Sequence, residues 1–104
     1  VLVGLITQTG TFPPQFIIIQ NDFTGVTFGT TYVSPGLYTL VASAPIFTNL
    51  KTASYITPDV SAGKPYMAAM ERINDFELFI NSFDVSSSAN SFFQGATLKA
   101  EVYP

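Results

Sequence analysis

The sequence predicts an all-β fold: an antiparallel β-sandwich of about eight short strands, forming a single domain over residues 1–104. Turn-forming residues recur roughly every ten positions, a spacing typical of such sandwiches. Near the end of the chain, apolar and polar residues alternate as in a half-buried strand: one side carries Ala96, Leu98, Ala100 and Val102, and the other carries Thr97, Lys99, Glu101 and Tyr103. The chain of 104 residues has no cysteine, and it is long enough to bury a core without metals or disulfides.

The first four predicted strands are short segments bounded by turn residues. They are LVGLITQ at 2–8, QFIIIQN at 15–21, VTFGTTYV at 26–33 and LYTLVAS at 37–43. Pro13 and Pro14 end the first strand, because proline has no N–H to donate to a sheet. SPG at 34–36 predicts a tight turn, so we expect the third and fourth strands to form a hairpin.

The second half of the chain contains the other predicted strands. They are TASYIT at 52–57, YMAAMERI at 66–73, FELFIN at 76–81 and ATLKAEVY at 96–103. Segment 66–73 contains good helix formers but is too short for a stable helix, so a hairpin that turns at Asn74-Asp75 is the better prediction. A two-residue turn there would pair Arg72 with Glu77. The serine-rich stretch 81–95 is predicted to be the longest loop.

The second strand is unusual because four successive residues are apolar, and these form the candidate interface: Phe16, Ile17, Ile18 and Ile19. A sandwich strand needs only one buried face. This strand is therefore predicted either to be buried on both faces or to contact another subunit of a homo-oligomer. Composition favours an oligomer: 14% of the residues are aromatic and only 11% are charged. Protein interfaces are enriched in aromatic residues and depleted of charge.

The residue types that usually carry catalysis are missing or isolated. Without histidine or cysteine, the usual triads, thiol nucleophiles and zinc sites cannot be built. The aspartates are expected to cap turns rather than bind calcium: Asp22, Asp59, Asp75 and Asp84. Glu71 and Glu77 resemble a glycosidase pair, but a pairing of Arg72 with Glu77 would place them on opposite faces. The sequence therefore predicts a protein that is not an enzyme and that has no cofactor and no metal.

Charge and hydropathy also limit the partners. The net charge is −3, and the few positive residues are scattered: Lys51, Lys64, Arg72 and Lys99. No basic patch can form from them, so we expect no nucleic-acid partner. The apolar runs are far shorter than the ~20 residues that span a bilayer, and the opening VLVGLI lacks the basic residues of a signal peptide. The sequence therefore predicts no membrane partner.

The aromatic residues indicate an alternative function. Exposed aromatic side chains can stack on sugar rings, and β-sandwiches commonly carry such surfaces. The candidate surface aromatic loop flanks the serine-rich stretch and consists of Phe83, Phe92 and Phe93. A carbohydrate-binding or host-receptor-binding module is therefore the alternative to a structural role. The same phenylalanines also suit a core or an interface, and tyrosine and tryptophan are better partners for sugars.

Five short phrases occur in an order that resembles a small β-domain found in structural proteins of tailed phages infecting Bacteroidetes. In this sequence they are LITQTGTFPP at 5–14, GLYTL at 36–40, FTNLKT at 47–52, FELFIN at 76–81 and AEVYP at 100–104. Together they span the whole chain. The sequence departs from that pattern at Phe12-Pro13, at an extra Leu50 before Lys51, and at Glu101, where a basic or polar residue is expected.

The resemblance implies a non-enzymatic component of the virion: a capsid decoration, a head fibre or a tail-fibre module. It carries no catalytic residues to transfer. Fibres and capsid decorations are often threefold, so the resemblance favours a homotrimer that contacts other virion proteins, with a host surface glycan as a further candidate partner. It also implies that the chain ends as a complete module.

Overall fold

The structure of the chain is a computed structural model that describes residues 1–57, 66–83 and 93–104. Its strands are β1 (Leu2–Thr7), β2 (Gln15–Asn21), β3 (Phe28–Ser34), β4 (Leu37–Ala42), β5 (Thr52–Thr57), β6 (Met67–Arg72), β7 (Glu77–Phe83) and β8 (Gln94–Val102). The described part of the chain has no helical segment with the length and apolar character needed to span a bilayer. The predicted all-β fold is confirmed.

The strands form two antiparallel four-stranded sheets that pack as a β-sandwich. The first sheet has the strand order β2-β1-β8-β5, and the second has the order β3-β4-β7-β6. Strand β5 of the first sheet packs along β6 of the second, whereas β2 and β3 make little contact. The sandwich is therefore closed along one side and more open along the side where β2 lies.

Alternating side chains from both sheets form the core. The largest fully buried aliphatic side chains are Leu2, Ile6, Leu40, Leu78, Ile80 and Leu98. Burial of each such side chain stabilises the fold by roughly 1.5–3 kcal/mol. The predicted alternation at 96–103 is confirmed, because Ala96 and Ala100 are buried beside Leu98 while Thr97 is exposed.

One end of the core contains a buried hydrogen-bond network. The Tyr38 hydroxyl donates to Gln8 Oε1 at 2.8 Å, and Gln8 Nε2 donates to the Gly10 carbonyl at 2.7 Å and to the Phe12 carbonyl at 3.1 Å. Burial raises the pKa of the Tyr38 hydroxyl. Since buried polar groups are costly without partners, these bonds let the loop after β1 close over the core.

The β6–β7 hairpin turns at the predicted Asn74-Asp75, but the predicted two-residue turn is wrong. Residues 73–76 connect the strands, and Arg72 pairs with Leu78 rather than with Glu77. The Arg72 guanidinium donates to the carbonyl of buried Phe47 at 2.6 Å and forms an ion pair with Asp75. Arg72 thus contacts the irregular segment 43–51. This contact, rather than local turn preference, occurs together with the longer β6–β7 connection of residues 73–76.

Candidate functional site

Strand β2 is an exposed apolar edge of the first sheet. It pairs with β1 on one side, and none of the described strands pairs with its other side. Ile17, Ile18 and Ile19 are 63%, 43% and 62% exposed. The expectation that this strand is buried on both faces is therefore wrong for the single chain. The alternative, that it contacts another subunit, stays a prediction.

A β-bulge interrupts β2 within its run of three isoleucines. The register between β1 and β2 shifts between Val3 and Gly4, which leaves Ile19 as an extra residue on β2. Successive side chains of a strand point to opposite faces, so three isoleucines in a row cannot all point inward, and the bulge disturbs the alternation at Ile19. Ile18 pairs with Gly4 but lies along the more open side of the sandwich.

Phe16 differs from the isoleucines because it packs against the core. Its ring is half-buried and lies over Gly4. A Cβ atom added at Gly4 would lie 2.3 Å from Cε1 of this ring and 2.7 Å from the Ile17 carbonyl oxygen. Glycine at position 4 is therefore required for β2 to approach β1 this closely. Of the four candidate interface residues, Phe16 anchors β2, and the three isoleucines stay exposed.

Strand β2 has a bulge, but it lacks two other features by which natural edge strands avoid pairing with other chains, namely charge and proline. Such strands commonly carry charged residues or proline, but no residue from Gln15 to Asn21 is charged or is proline. Leu5 lies opposite Ile17 on β1 and is half-buried, so it extends the apolar surface onto the outer face. The edge therefore offers both backbone hydrogen-bonding groups and apolar side chains.

A second surface lies on the outer face of the first sheet, at the opposite edge, where β5 pairs with β8. Its four residues, which we call the tyrosine row, are Tyr55, Lys99, Glu101 and Tyr103. Tyr55 lies directly opposite Lys99, and Ala53 lies directly opposite Glu101. The two tyrosines are 48% and 54% exposed. The row therefore presents two accessible aromatic rings on one sheet face.

Polar contacts join the members of the tyrosine row. Lys99 Nζ lies 2.7 Å from Glu101 Oε1, and the Tyr103 hydroxyl donates to Glu101 Oε2 at 2.6 Å. Lys99 Nζ also lies 5.8 Å from the centroid of the Tyr55 ring, within the range of a cation–π contact. These contacts hold the four side chains in one arrangement along the two strands.

The same contacts shift the ionisation of the row. The hydrogen bond to Glu101, and secondarily that to Tyr55, raises the pKa of Lys99. Hydrogen bonds from Lys99 and Tyr103 lower the pKa of the Glu101 carboxyl group. The hydrogen bond to Glu101 raises the pKa of the Tyr103 hydroxyl. At neutral pH the lysine and the glutamate are thus both charged, and they neutralise each other.

The predicted surface aromatic loop is not formed as expected. Phe93 is fully buried, and its ring packs edge-on against the rings of Tyr38 and Tyr66. Phe83 is half-buried at the end of β7, and Phe92 lies outside the described residues. Phe93 is therefore a core residue, because it directly precedes β8 and reaches between the sheets.

The tyrosine row was only partly visible in the sequence. The alternation at 96–103 already placed Tyr103 on the outer side of its strand, together with Lys99 and Glu101. The position of Tyr55 depends on the pairing of β5 with β8, which joins segments far apart in the chain. No local pattern reveals that pairing.

The acidic residues do not form a metal site in the described part of the chain. No group of three potential metal ligands occurs there. Asx-type hydrogen bonds are expected of Asp22 and Asp75, but the residue before each of them makes the bond instead. The Oδ1 atoms of Asn21 and Asn74 accept from backbone N–H groups two positions later. The other predicted capping residues lie outside the described residues: Asp59 and Asp84.

The expected separation of Glu71 from Glu77 onto opposite faces is wrong. The observed register pairs Glu71 with Phe79, so both glutamates lie on the outer face of the second sheet. Adjacent strands place such diagonal neighbours about 7–8 Å apart. Glu71 is exposed on this outer face, which provides no walls to exclude water from a scissile bond.

Comparisons of the chain with protein families, with curated proteins and with solved structures find no match. The fold class by itself does not define a function, because β-sandwiches carry many unrelated activities. The functional conclusion therefore depends on the two surfaces described above, the edge strand β2 and the tyrosine row.

Proposed function

We propose that this chain is a non-enzymatic structural protein of a phage virion, acting as a capsid decoration, a head fibre or a tail-fibre module. It works by assembling with itself and with other virion proteins. The observation that carries the proposal is the exposed apolar edge β2. The order of phage-like phrases along the whole chain supports the virion location.

Assembly through β2 follows from the physical properties of that edge. Its unpaired backbone groups can extend the sheet into a neighbouring chain, as in other cases of strand addition. The exposed isoleucines would be buried in the same contact, and burial of apolar surface drives association. A charge-free strand also suits contact with a second copy, since no like charges face each other.

The symmetry of the assembly is a separate question. An isologous contact would place two β2 strands side by side, whereas a cyclic contact would place β2 against a different surface of the next copy. We propose a homotrimer on the basis of the phage resemblance. The turn segments at 9–14 and 22–27 are candidate contacts with other virion proteins.

The proposal excludes catalysis because of the residues that the sequence lacks. The sequence of 104 residues has no histidine and no cysteine. The carboxylates Glu71 and Glu77 share an outer sheet face rather than a cleft. The second candidate function is binding of a carbohydrate or host receptor, and the tyrosine row is the observation that favours it.

Mass spectrometry of purified virions tests the virion proposal. Particles should be purified from a phage that encodes this chain, and the chain should be present at many copies per particle. The known major capsid protein of the same particles serves as the internal standard. If the chain is found in infected cells but not in purified particles, the virion proposal is contradicted.

A further inference from the structure

We propose that the tyrosine row is a binding site for a neutral oligosaccharide. This inference goes beyond the assembly role and does not depend on it. The site is formed by Tyr55 and Tyr103 with the Lys99–Glu101 ion pair between them, on the outer face of the β5–β8 pair. It is distinct from the phenylalanines of the predicted aromatic loop.

The two exposed tyrosines supply the apolar part of such a site. A tyrosine side chain has an apolar ring and a polar tip, so it can pack on the C–H face of a sugar ring while polar groups nearby bind the hydroxyls. Lys99 and Glu101 supply those polar groups. An ammonium has three donors and a carboxylate has about four acceptor positions, so their mutual contact does not use their full capacity.

The charge of the site selects a neutral ligand. The ammonium of Lys99 already contacts the Glu101 carboxylate at 2.7 Å, so an anionic ligand would have to compete with Glu101 for Lys99. A cationic ligand would have to compete with Lys99 for Glu101. An apolar peptide segment would bury the ion pair without satisfying its remaining hydrogen bonds, which is costly. A polyhydroxylated neutral ligand meets none of these obstacles.

The arrangement is preorganised. Tyr103 bonds to Glu101, Glu101 to Lys99, and Lys99 lies over the Tyr55 ring, so the side chains are ordered before a ligand arrives. Binding then avoids much of the entropy cost of fixing flexible side chains. This matters for a shallow surface site, where the binding free energy is small.

The spacing of the row indicates an oligosaccharide rather than a single sugar. Tyr55 lies opposite Lys99, and Tyr103, which directly follows β8, lies four residues farther along the chain. At about 3.3 Å per residue, the backbone positions of the two tyrosines are separated by roughly 13 Å along the strands. Ala53 on β5 lies opposite Glu101 and between the positions of the two tyrosines. Its short side chain leaves room for a sugar ring.

The location of the row is compatible with assembly through β2. In the strand order β2-β1-β8-β5, the row lies at the edge opposite β2. A neighbour that covers the three isoleucines of one chain is therefore bound at the sheet edge away from the tyrosine row of that chain. If the chain is absent from virions but binds oligosaccharides, only the virion proposal fails. If the chain is present in virions but does not bind oligosaccharides, only the binding site is rejected.

Titration of the ¹⁵N-labelled chain with cellohexaose, β-1,4-mannohexaose and chitohexaose, followed by NMR, tests the site. At least one of these neutral hexasaccharides should shift the amide signals of Tyr55, Lys99 and Glu101. Tyr55→Ala and Tyr103→Ala should each weaken binding by about tenfold or more. If Tyr55→Ala does not fold, Tyr55→Leu takes its place, because leucine is a strand-compatible side chain. Tyr55→Leu should weaken binding by a similar factor.

Phe12→Ala is the matched control, because Phe12 is an exposed aromatic at the other end of the molecule, where it lines a depression of about 190 Å³ with Thr7 and Gln15. This variant should bind as the wild type does. The proposal is overturned if none of the three hexasaccharides binds at millimolar concentration. It is equally overturned if hexagalacturonate binds as tightly as the neutral sugars, or if Phe12→Ala weakens binding as much as the tyrosine variants.

Discussion

Leu50 combines two features that are unfavourable in a small protein. Its φ angle is 62°, in the left-handed region, and its side chain is 95% exposed. Left-handed backbone costs a residue with a side chain roughly 1–2 kcal/mol, and here almost no burial offsets that cost. Asparagine and glycine accept this conformation more readily than leucine does.

We expect Leu50→Gly to raise the free energy of unfolding by about 0.5–1 kcal/mol. Relief of the left-handed strain should exceed the entropy that glycine adds to the unfolded chain. Urea unfolding followed by circular dichroism measures the difference. Leu50→Ala is the control, because it removes the side chain but keeps the strain, and it should match the wild type. Equal unfolding midpoints for all three chains would contradict the assignment of strain.

At the scale of elements, the contact between β1 and β2 depends on Gly4. We expect Gly4→Ala to destabilise the fold by about 1–3 kcal/mol, because the new methyl group would collide with the Phe16 ring and with the backbone oxygen of Ile17. Thermal or urea unfolding measures the loss.

Gly29→Ala is the matched control for this substitution. Gly29 lies within β3, and a Cβ atom there would meet no other atom within 4 Å. The stability of the Gly29→Ala variant should equal or slightly exceed that of the wild type, since alanine restricts the unfolded chain. If both alanine variants lose the same stability, general strand propensity and not the close approach at Gly4 is responsible.

The strands were predictable because their signals are local. The alternation in β8, the prolines after β1 and the turn at 34–36 each act within a few residues, and Gly36 adopts the positive φ of 73° that such a turn requires. The β6–β7 register was not predictable, because the Arg72 contact with Phe47 joins distant segments. The tyrosine row depends on a similar long-range pairing.

Local sequence patterns also did not predict which residues of the second strand are buried. The run Phe16 to Ile19 has the composition of a fully buried strand, yet its place at a sheet edge is decided by the pairing of the other strands. Only Phe16 reaches the core, because Gly4 beneath it leaves space for the ring. The sequence pattern therefore indicated an unusual strand without indicating which residue would be buried.

At the scale of the whole molecule, the exposed isoleucines predict self-association. Light scattering on the wild-type chain at micromolar concentration should give a multiple of the 11.2 kDa monomer mass, with three copies expected. Ile17→Lys should shift the mass to that of the monomer, because the exposed position would place charges in the contact.

Val33→Lys is the control for that variant. Val33 is also an exposed aliphatic residue on an edge strand, β3, but it belongs to the second sheet. The lysine variant at Val33 should keep the wild-type mass, and circular dichroism should show that both variants are folded. A wild-type mass near 11.2 kDa, or equal dissociation of both variants, would contradict assembly through β2.

The position of β8 has a consequence for how the chain is made. This strand lies between β1 and β5 in the first sheet, although the seven other strands of the described residues precede it in the sequence. During synthesis one side of β1 therefore stays unpaired until residues 94–102 leave the ribosome. The second sheet involves only β3, β4, β6 and β7, so it can form earlier. Non-local pairing of this kind slows folding and lengthens the time in which nascent chains can aggregate.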